Sequence, residues 1–162
     1  PEAEVYTFCG DGSFFMGHSE LYTAVQERLK INVCLFDNLG WGCIENLQNN
    51  QGTDTFGTVF RARNPKTGML DGAEISVDFA KIAEGYGAKG YSIHNSAELR
   101  AALEDAKKRT EPVLFDIKVL PKTMTPGFES WWRVGVAEVS KSESVRAAYD
   151  DMQKNIKKTF DY

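Results

Sequence analysis

Short runs of consecutive β-formers alternate along this chain with stretches in which apolar residues recur every three or four positions. Val5-Tyr6-Thr7-Phe8-Cys9, with a lead-in from Glu4, predicts a buried strand that stops at Gly10. Over residues 19–30 the apolar positions Leu21, Ala24, Val25 and Leu29 fall at helical spacing, and Asn32-Val33-Cys34-Leu35-Phe36 then predicts a second buried strand ending at Asp37-Asn38. Strand, helix, strand is one βαβ unit. Its crossover is right-handed, and the loops after both strands lie at the carboxyl edge of the sheet, where α/β proteins bind ligands. Further helix signals cover about 79–86 and the stripe Leu99, Ala102, Leu103, Ala106, with strands at Tyr91-Ser92-Ile93 and Val113-Leu114-Phe115-Asp116-Ile117. The stripe is introduced by Asn95 and Glu98, spaced as a capping box, and followed by Lys107-Lys108-Arg109 at the negative end of the helix. The pattern predicts an α/β fold with a mostly parallel sheet and helices on both faces.

Two segments break the alternation. Residues 44–72 are polar and rich in Gly and Asn, and only 56–60 read as ordered, which predicts a functional loop or a subunit contact. Residues 121–135 are irregular and contain Trp131 and Trp132, predicted to pack on another domain or to shape a substrate pocket. Beyond them Ser140 and Glu143 are spaced as a second capping box, and Val145, Tyr149, Met152, Ile156 and Phe160 line one face of a closing helix.

Composition narrows the function classes. The 162 residues carry a net charge of −4 without a basic stripe, which argues against a nucleic-acid surface. The longest apolar runs are strand-length and no signal peptide opens the chain, so no membrane association is expected and the cytoplasm is the default compartment. Cys9, Cys34 and Cys43 lack any paired spacing and are expected as reduced, mostly buried thiols. The chain opens at Pro1 and enters a strand within a few residues, as a domain cut from a longer polypeptide would.

Glycine-rich segments occur twice. Gly85-Tyr86-Gly87-Ala88-Lys89-Gly90 has the letters of a dinucleotide fingerprint, but it follows a helix and precedes a strand, the reverse of the order that rests a pyrophosphate on a helix N-terminus. It predicts a helix end and a turn. Gly10-Asp11-Gly12-Ser13 has the required order, and it faces the end of the second strand at Asp37-Asn38-Leu39-Gly40. Asp-Gly by itself is a common turn dipeptide. Magnesium takes oxygen ligands in octahedral array, and Asp11 would give a carboxylate, Asn38 a side-chain carbonyl and Gly40 a backbone carbonyl. Gly12 and Ser13 would let a diphosphate approach the amides at the head of the following helix. His18, near that helix head, and His94, before a helix cap, are expected to be structural and surface residues respectively.

Gly10-Asp11-Gly12, the step from Asp11 to Asn38, and Gly40-Trp41-Gly42 resemble the thiamine diphosphate signature of the acetolactate synthase and pyruvate decarboxylase superfamily. The resemblance implies a site for thiamine diphosphate and Mg2+ at Gly10, Asp11, Gly12, Ser13, Asn38, Gly40, Trp41 and Gly42, with Asp11, Asn38 and Gly40 on the metal. The usual Asn-Asn pair is Asp37-Asn38 here. LFDNLGWGCIENLQ, FGTVFRARNPKTG, ISVDFAKIAEGYGAKGY and IKVLPKTMTPGFESWWRVGVAEVS look like the C-terminal part of the trihydroxycyclohexane-1,2-dione hydrolase family of myo-inositol catabolism.

That narrower resemblance covers nearly the whole chain. It implies that residues 1–162 are a C-terminal diphosphate-anchoring domain whose start is truncated, in a homo-oligomeric enzyme, dimer or tetramer. It further implies a small cyclic polyol-dione substrate, carbon–carbon cleavage, and an activating Glu on preceding domains, so that no catalytic residue lies in this chain and the fragment alone is inactive. Asn49, Asn50, Arg61, Arg63 and Asn64 would be available for substrate hydroxyls. An acetolactate synthase-like or 2-oxoacid decarboxylase domain, and a non-enzymatic α/β interaction domain, stand as alternatives.

Overall fold

The computed structural model describes residues 3–122 and 133–159. Four parallel strands form one sheet in the order β1-β2-β4-β3: β1 (Tyr6–Gly10), β2 (Asn32–Asp37), β3 (Lys89–Ile93) and β4 (Val113–Lys118). The register pairs Cys9 with Leu35, Leu35 with Asp116 and Ile93 with Ile117, so the carboxyl ends of β1, β2 and β4 come out side by side. That edge is where the chain turns into α1 (Asp11–Gly17) and, beyond β2, into α3 (Gly42–Asn50). Among the described residues no helix is long and apolar enough to cross a membrane.

The two faces of the sheet are covered by different helices. Val33, Leu35 and Leu114 pack against Phe14 of α1, Leu21 of α2 (Glu20–Gln26) and Phe79 and Ala83 of α4 (Phe79–Gly85). On the other face Cys34, Val113 and Phe115 meet Ala102 and Ala106 of α5 (Ser96–Ala106), with Leu99 and Leu103 at its margin. Phe79, Leu35 and Phe115 are fully buried, each contributing about 1.5–3 kcal/mol of transfer free energy. Asn95 caps α5 as predicted, accepting from the Ala97 and Glu98 amides, while Glu98 accepts from the His94 amide, one residue before the cap, and from the Asn95 side chain.

Five expectations need correction. The strand β1 is an edge strand: Tyr6 and Phe8 are exposed, and within the described residues it pairs with β2 alone. The predicted helix over 19–30 is two short helices, and the second stops early because Arg28 adopts φ 55°, leaving Leu29 exposed. The segment after Ile44 begins as a helix, α3, which inverts the usual pattern by burying Glu45 and exposing Ile44 and Leu47. For α6 (Glu143–Ile156) the cap position is Ser142 without a side-chain cap bond, and Ser140 accepts from the Ser142 amide instead. Cys34 is buried, Cys9 half-buried, and Cys43 exposed.

The apolar face of α6 is buried at Val145 and Met152. Phe160, Trp131 and Trp132 lie outside the described residues.

Candidate functional site

Gly10 ends β1 and the chain enters α1 at once, which places Asp11 in the first turn, where the helix dipole favours an anion. Asp11 is fully buried. Its Oδ1 accepts from the Gly12 amide at 2.8 Å and its Oδ2 from the Gly40 amide at 2.8 Å, so one carboxylate ties the loop after β1 to the loop after β2. Burial pushes this carboxyl up to about 6; the neighbouring Asp37 carboxylate adds to the rise, and the two backbone donors oppose it. A carboxylate held where ionisation is disfavoured gains most from a cation beside it.

Asn38 completes the cluster. Its amide faces two acceptors, Asp11 Oδ1 at 3.2 Å and the Gly40 carbonyl at 2.9 Å. With the nitrogen turned toward them it donates to both. With the oxygen turned toward them, three oxygens converge at those separations. Adjacent vertices of an octahedron with Mg2+–O arms of 2.0–2.1 Å lie about 2.8–3.0 Å apart, so the Asn38–Gly40 separation matches an octahedral edge and the Asn38–Asp11 separation is slightly longer than one. The donor set, one carboxylate, one amide and one backbone carbonyl, is all oxygen and suits a hard cation. No group of three His, Cys, Asp or Glu side chains is disposed to hold a metal among the described residues, so the backbone and amide oxygens are what make this place a candidate.

The turn that presents Asn38 and Gly40 is over-determined. Leu39 sits at φ 67°, a left-handed conformation that costs a non-glycine residue about 1–2 kcal/mol, and its amide donates to Asp37 Oδ1 at 3.0 Å. Residues of the long connection clamp the same turn from outside: the Trp41 amide donates to the Thr58 carbonyl and the Phe60 amide to the Leu39 carbonyl, at 2.8 and 2.9 Å. A Cβ on Gly40 would lie 2.1 Å from the Thr58 carbonyl oxygen. The ordered run expected at 56–60 is therefore a brace for the site.

Gly12 lies beneath the Trp41 ring, since a Cβ there would come within 2.5 Å of its Cδ1. A Cβ on Gly42 would lie 2.6 Å from the Asn38 amide nitrogen. These approaches bring the heads of α1 and α3 together at one sheet edge, both with their positive ends toward it. Ser13 is exposed on the first turn of α1. All eight sequence candidates, Gly10, Asp11, Gly12, Ser13, Asn38, Gly40, Trp41 and Gly42, thus belong to one edge.

Two residues at this edge escaped the pattern, Lys118 and Asp116. Lys118 donates to Asp37 Oδ2 at 2.5 Å, to Asp116 Oδ2 at 2.8 Å and to the Val77 carbonyl at 3.2 Å. Asp116 is fully buried and its Oδ1 has no hydrogen-bond partner among the described residues; burial raises its carboxyl against the opposing pull of Lys118. The available signal was the pair Asp116 and Lys118, two charges two residues apart on one side of an otherwise apolar strand.

Other candidates are occupied structurally. His18 Nδ1 lies 2.6 Å from the Tyr86 hydroxyl, and exposed His94 sits 3.3 Å from Ser92 Oγ. In the long connection Arg61 binds Glu74 and the Gly72 carbonyl, Arg63 the Gly68 carbonyl, and Asn64 accepts from the Lys66 amide. The second glycine motif is a helix end, with α4 stopping at Gly85, Gly87 at φ 91°, and Gly90 pressed so closely on α4 that a Cβ would meet the Ala80 oxygen at 2.2 Å.

Residues 1–117 match the family described as thiamine pyrophosphate enzyme, C-terminal TPP binding domain. Over 157 residues the chain is 59% identical to a 3D-(3,5/4)-trihydroxycyclohexane-1,2-dione hydrolase of Geobacillus thermodenitrificans, covering 97% of this chain and 25% of that protein. It is 58% identical over 162 residues to 3D-(3,5/4)-trihydroxycyclohexane-1,2-dione hydrolase 1 of Bacillus cereus, again covering 25% of the relative. The chain thus spans about a quarter of the length of these relatives. Among solved structures it is similar to benzoylformate decarboxylase from Polynucleobacter necessarius, with a TM-score of 0.60 and 22% identity over 76% of this chain and 20% of that one. A thiamine diphosphate-dependent 4-hydroxybenzoylformate decarboxylase of Rhodococcus jostii gives 0.55 and 24%, over 75% and 20%. At such identity the structures speak for the fold.

Proposed function

This chain belongs to the C-terminal TPP binding domains of the thiamine pyrophosphate enzymes, and from that membership we propose that it anchors the diphosphate of thiamine diphosphate through Mg2+. The observation that carries the reading is the Asn38 amide aimed at two oxygens, Asp11 Oδ1 at 3.2 Å and Gly40 O at 2.9 Å, close to the edge length of a magnesium octahedron. Asp11, Asn38 and Gly40 would hold the metal. Gly10, Gly12 and Ser13 would leave room for the diphosphate at the head of α1, and Trp41 and Gly42 would bound it at the head of α3. When bound, thiamine diphosphate supplies an electron sink that lets a bond beside a carbonyl break.

The chain's own residues bind and orient. Asp11 takes one amide from each loop, and so fixes the distance between them before any ligand arrives. Preorganisation of that kind spares the cost of ordering two loops on binding. No residue of this chain is assigned a proton transfer, and we assign the activating acid to preceding domains of the same polypeptide, which the relatives' greater length supports.

For the whole protein we propose a cytoplasmic, homo-oligomeric hydrolase of inositol breakdown that cleaves a carbon–carbon bond of trihydroxycyclohexane-1,2-dione. The printed names of relatives 58–59% identical over this chain support that substrate. The test is product analysis with the whole protein, Mg2+ and thiamine diphosphate. Opening of the cyclic dione with little condensation of pyruvate is expected. Efficient formation of acetolactate, with the dione untouched, would replace the hydrolase by a synthase that uses the same anchor.

A further inference from the structure

Behind the candidate metal cluster lies an ion pair that crosses from β4 to β2, and we propose that Lys118 is a positioning residue for the magnesium site, acting through Asp37. The inference rests on the anchoring role proposed above and extends it to a residue that touches neither metal nor cofactor.

Three buried carboxylates crowd this edge, Asp11 and Asp116 with no exposure and Asp37 with 3%. Isolated buried anions are costly, and a cation shared between them offsets much of the cost. Lys118 is that cation for two of the three, at 2.5 Å from Asp37 and 2.8 Å from Asp116. Its Nζ also lies over the Phe79 ring, 5.9 Å from the centroid.

The two oxygens of Asp37 have separate duties. Oδ2 accepts from Lys118, and Oδ1 accepts from the Leu39 amide. The second bond holds Leu39 in its left-handed conformation, and Leu39 stands between Asn38 and Gly40, two of the three candidate oxygen donors. Without Lys118, Asp37 becomes an unbalanced anion beside Asp11. It would turn toward water or toward the metal, Leu39 would lose its partner, and the Asn38 and Gly40 oxygens would lose their spacing. An amide at position 37 needs no counter-ion and can still accept from the Leu39 amide. Lys118 therefore matters to the site because residue 37 is an acid.

A purely structural role, neutralising Asp116, makes the opposite assignment. Calorimetric titration of the whole protein with thiamine diphosphate in Mg2+ separates the two, using wild type, Lys118→Met, Lys118→Met/Asp37→Asn and Lys118→Met/Asp116→Asn, with thermal unfolding recorded for each. Lys118→Met is expected to weaken binding about tenfold to a hundredfold, the range for partners that orient metal ligands. Asp37→Asn on that background should recover most of the loss, and Asp116→Asn should not. Wild-type-like affinity in Lys118→Met, recovery by Asp116→Asn as good as by Asp37→Asn, or failure of Lys118→Met/Asp37→Asn to fold or to regain affinity would overturn the proposal. If Lys118→Met alone does not fold, the two double variants still decide. A wild type that binds no thiamine diphosphate in Mg2+ would overturn the anchoring role itself, whereas a wild type that binds and a Lys118→Met that binds equally would overturn this inference alone.

Discussion

The two glycine-rich segments, at residues 10–13 and 85–90, are similar in composition and opposite in consequence. In the first a strand ends, and a helix begins on the acid itself, so amides and a carboxylate collect at the carboxyl edge of the sheet. In the second a helix ends and a strand begins, so the glycines lie at the opposite, amino edge, where Gly90 packs against the backbone of α4. Gly12 is pressed by an indole that belongs to the site, and Gly90 by the Ala80 carbonyl. Chain direction relative to the strand decides whether glycine serves a ligand or a packing contact, and the spelling of the motif does not.

Substitutions should separate the two segments cleanly. The largest effect is expected at Gly90→Val, where the side chain would enter the space of the Ala80 backbone. Backbone cannot rotate away as a side chain can, so a loss of about 3 kcal/mol or more is expected, at or above the upper range for overpacking, and chemical denaturation of the whole protein would register it. Whatever fraction remains folded should keep its cofactor affinity. Asp11→Asn is expected to act mainly on binding. It removes the anionic donor while keeping shape, and the affinity for thiamine diphosphate in Mg2+ should fall by about a hundredfold or more, beyond the range seen for residues that only orient ligands. Asn offers one acceptor where Asp11 uses two, so one of the Gly12 and Gly40 amides loses its partner and stability should fall by about 1–3 kcal/mol, less than in Gly90→Val. Unchanged affinity in titration calorimetry would break the contrast.

Gly40→Ala joins both effects, because its Cβ would strike the Thr58 oxygen that braces the turn. We expect lower stability and weaker binding together, each smaller than in the two extreme variants. Gly87→Ala is the mildest: its nearest neighbour is Val25 at 3.5 Å, so only the positive φ is penalised. That costs about 1 kcal/mol with no change in cofactor affinity, measurable by the same denaturation and titration pair.

These contrasts also explain which parts of the molecule could be read from sequence. The strands β2 and β4 are near-continuous apolar runs and announce themselves, as does α5 with its Asn95 and Glu98 cap. The helix α1 did not, because its seven residues open with Asp-Gly, a turn dipeptide, and carry too few apolar positions to set a period. Inversion hid α3: Glu45 faces inward, accepting from Thr55 Oγ1 at 2.7 Å, while Ile44 and Leu47 face out. The candidate site was legible at Asp11, Asn38 and Gly40, because strand ends are fixed by the pattern and oxygen donors at adjacent ends can only converge. Its supports were not. Lys118 reaches Asp37 across 81 positions of sequence, and Thr58 clamps the turn from a connection with no period at all.

The central claim concerns three oxygens, and a crystal structure of the whole protein with Mg2+ and thiamine diphosphate tests it most directly. The account predicts Mg2+ bound at about 2.0–2.1 Å by Asp11, by the Asn38 side-chain oxygen and by the Gly40 carbonyl, with the remaining positions filled by diphosphate and water. A bound diphosphate whose metal is held by other residues, with the Asn38 nitrogen turned toward Asp11 and Gly40, would contradict it.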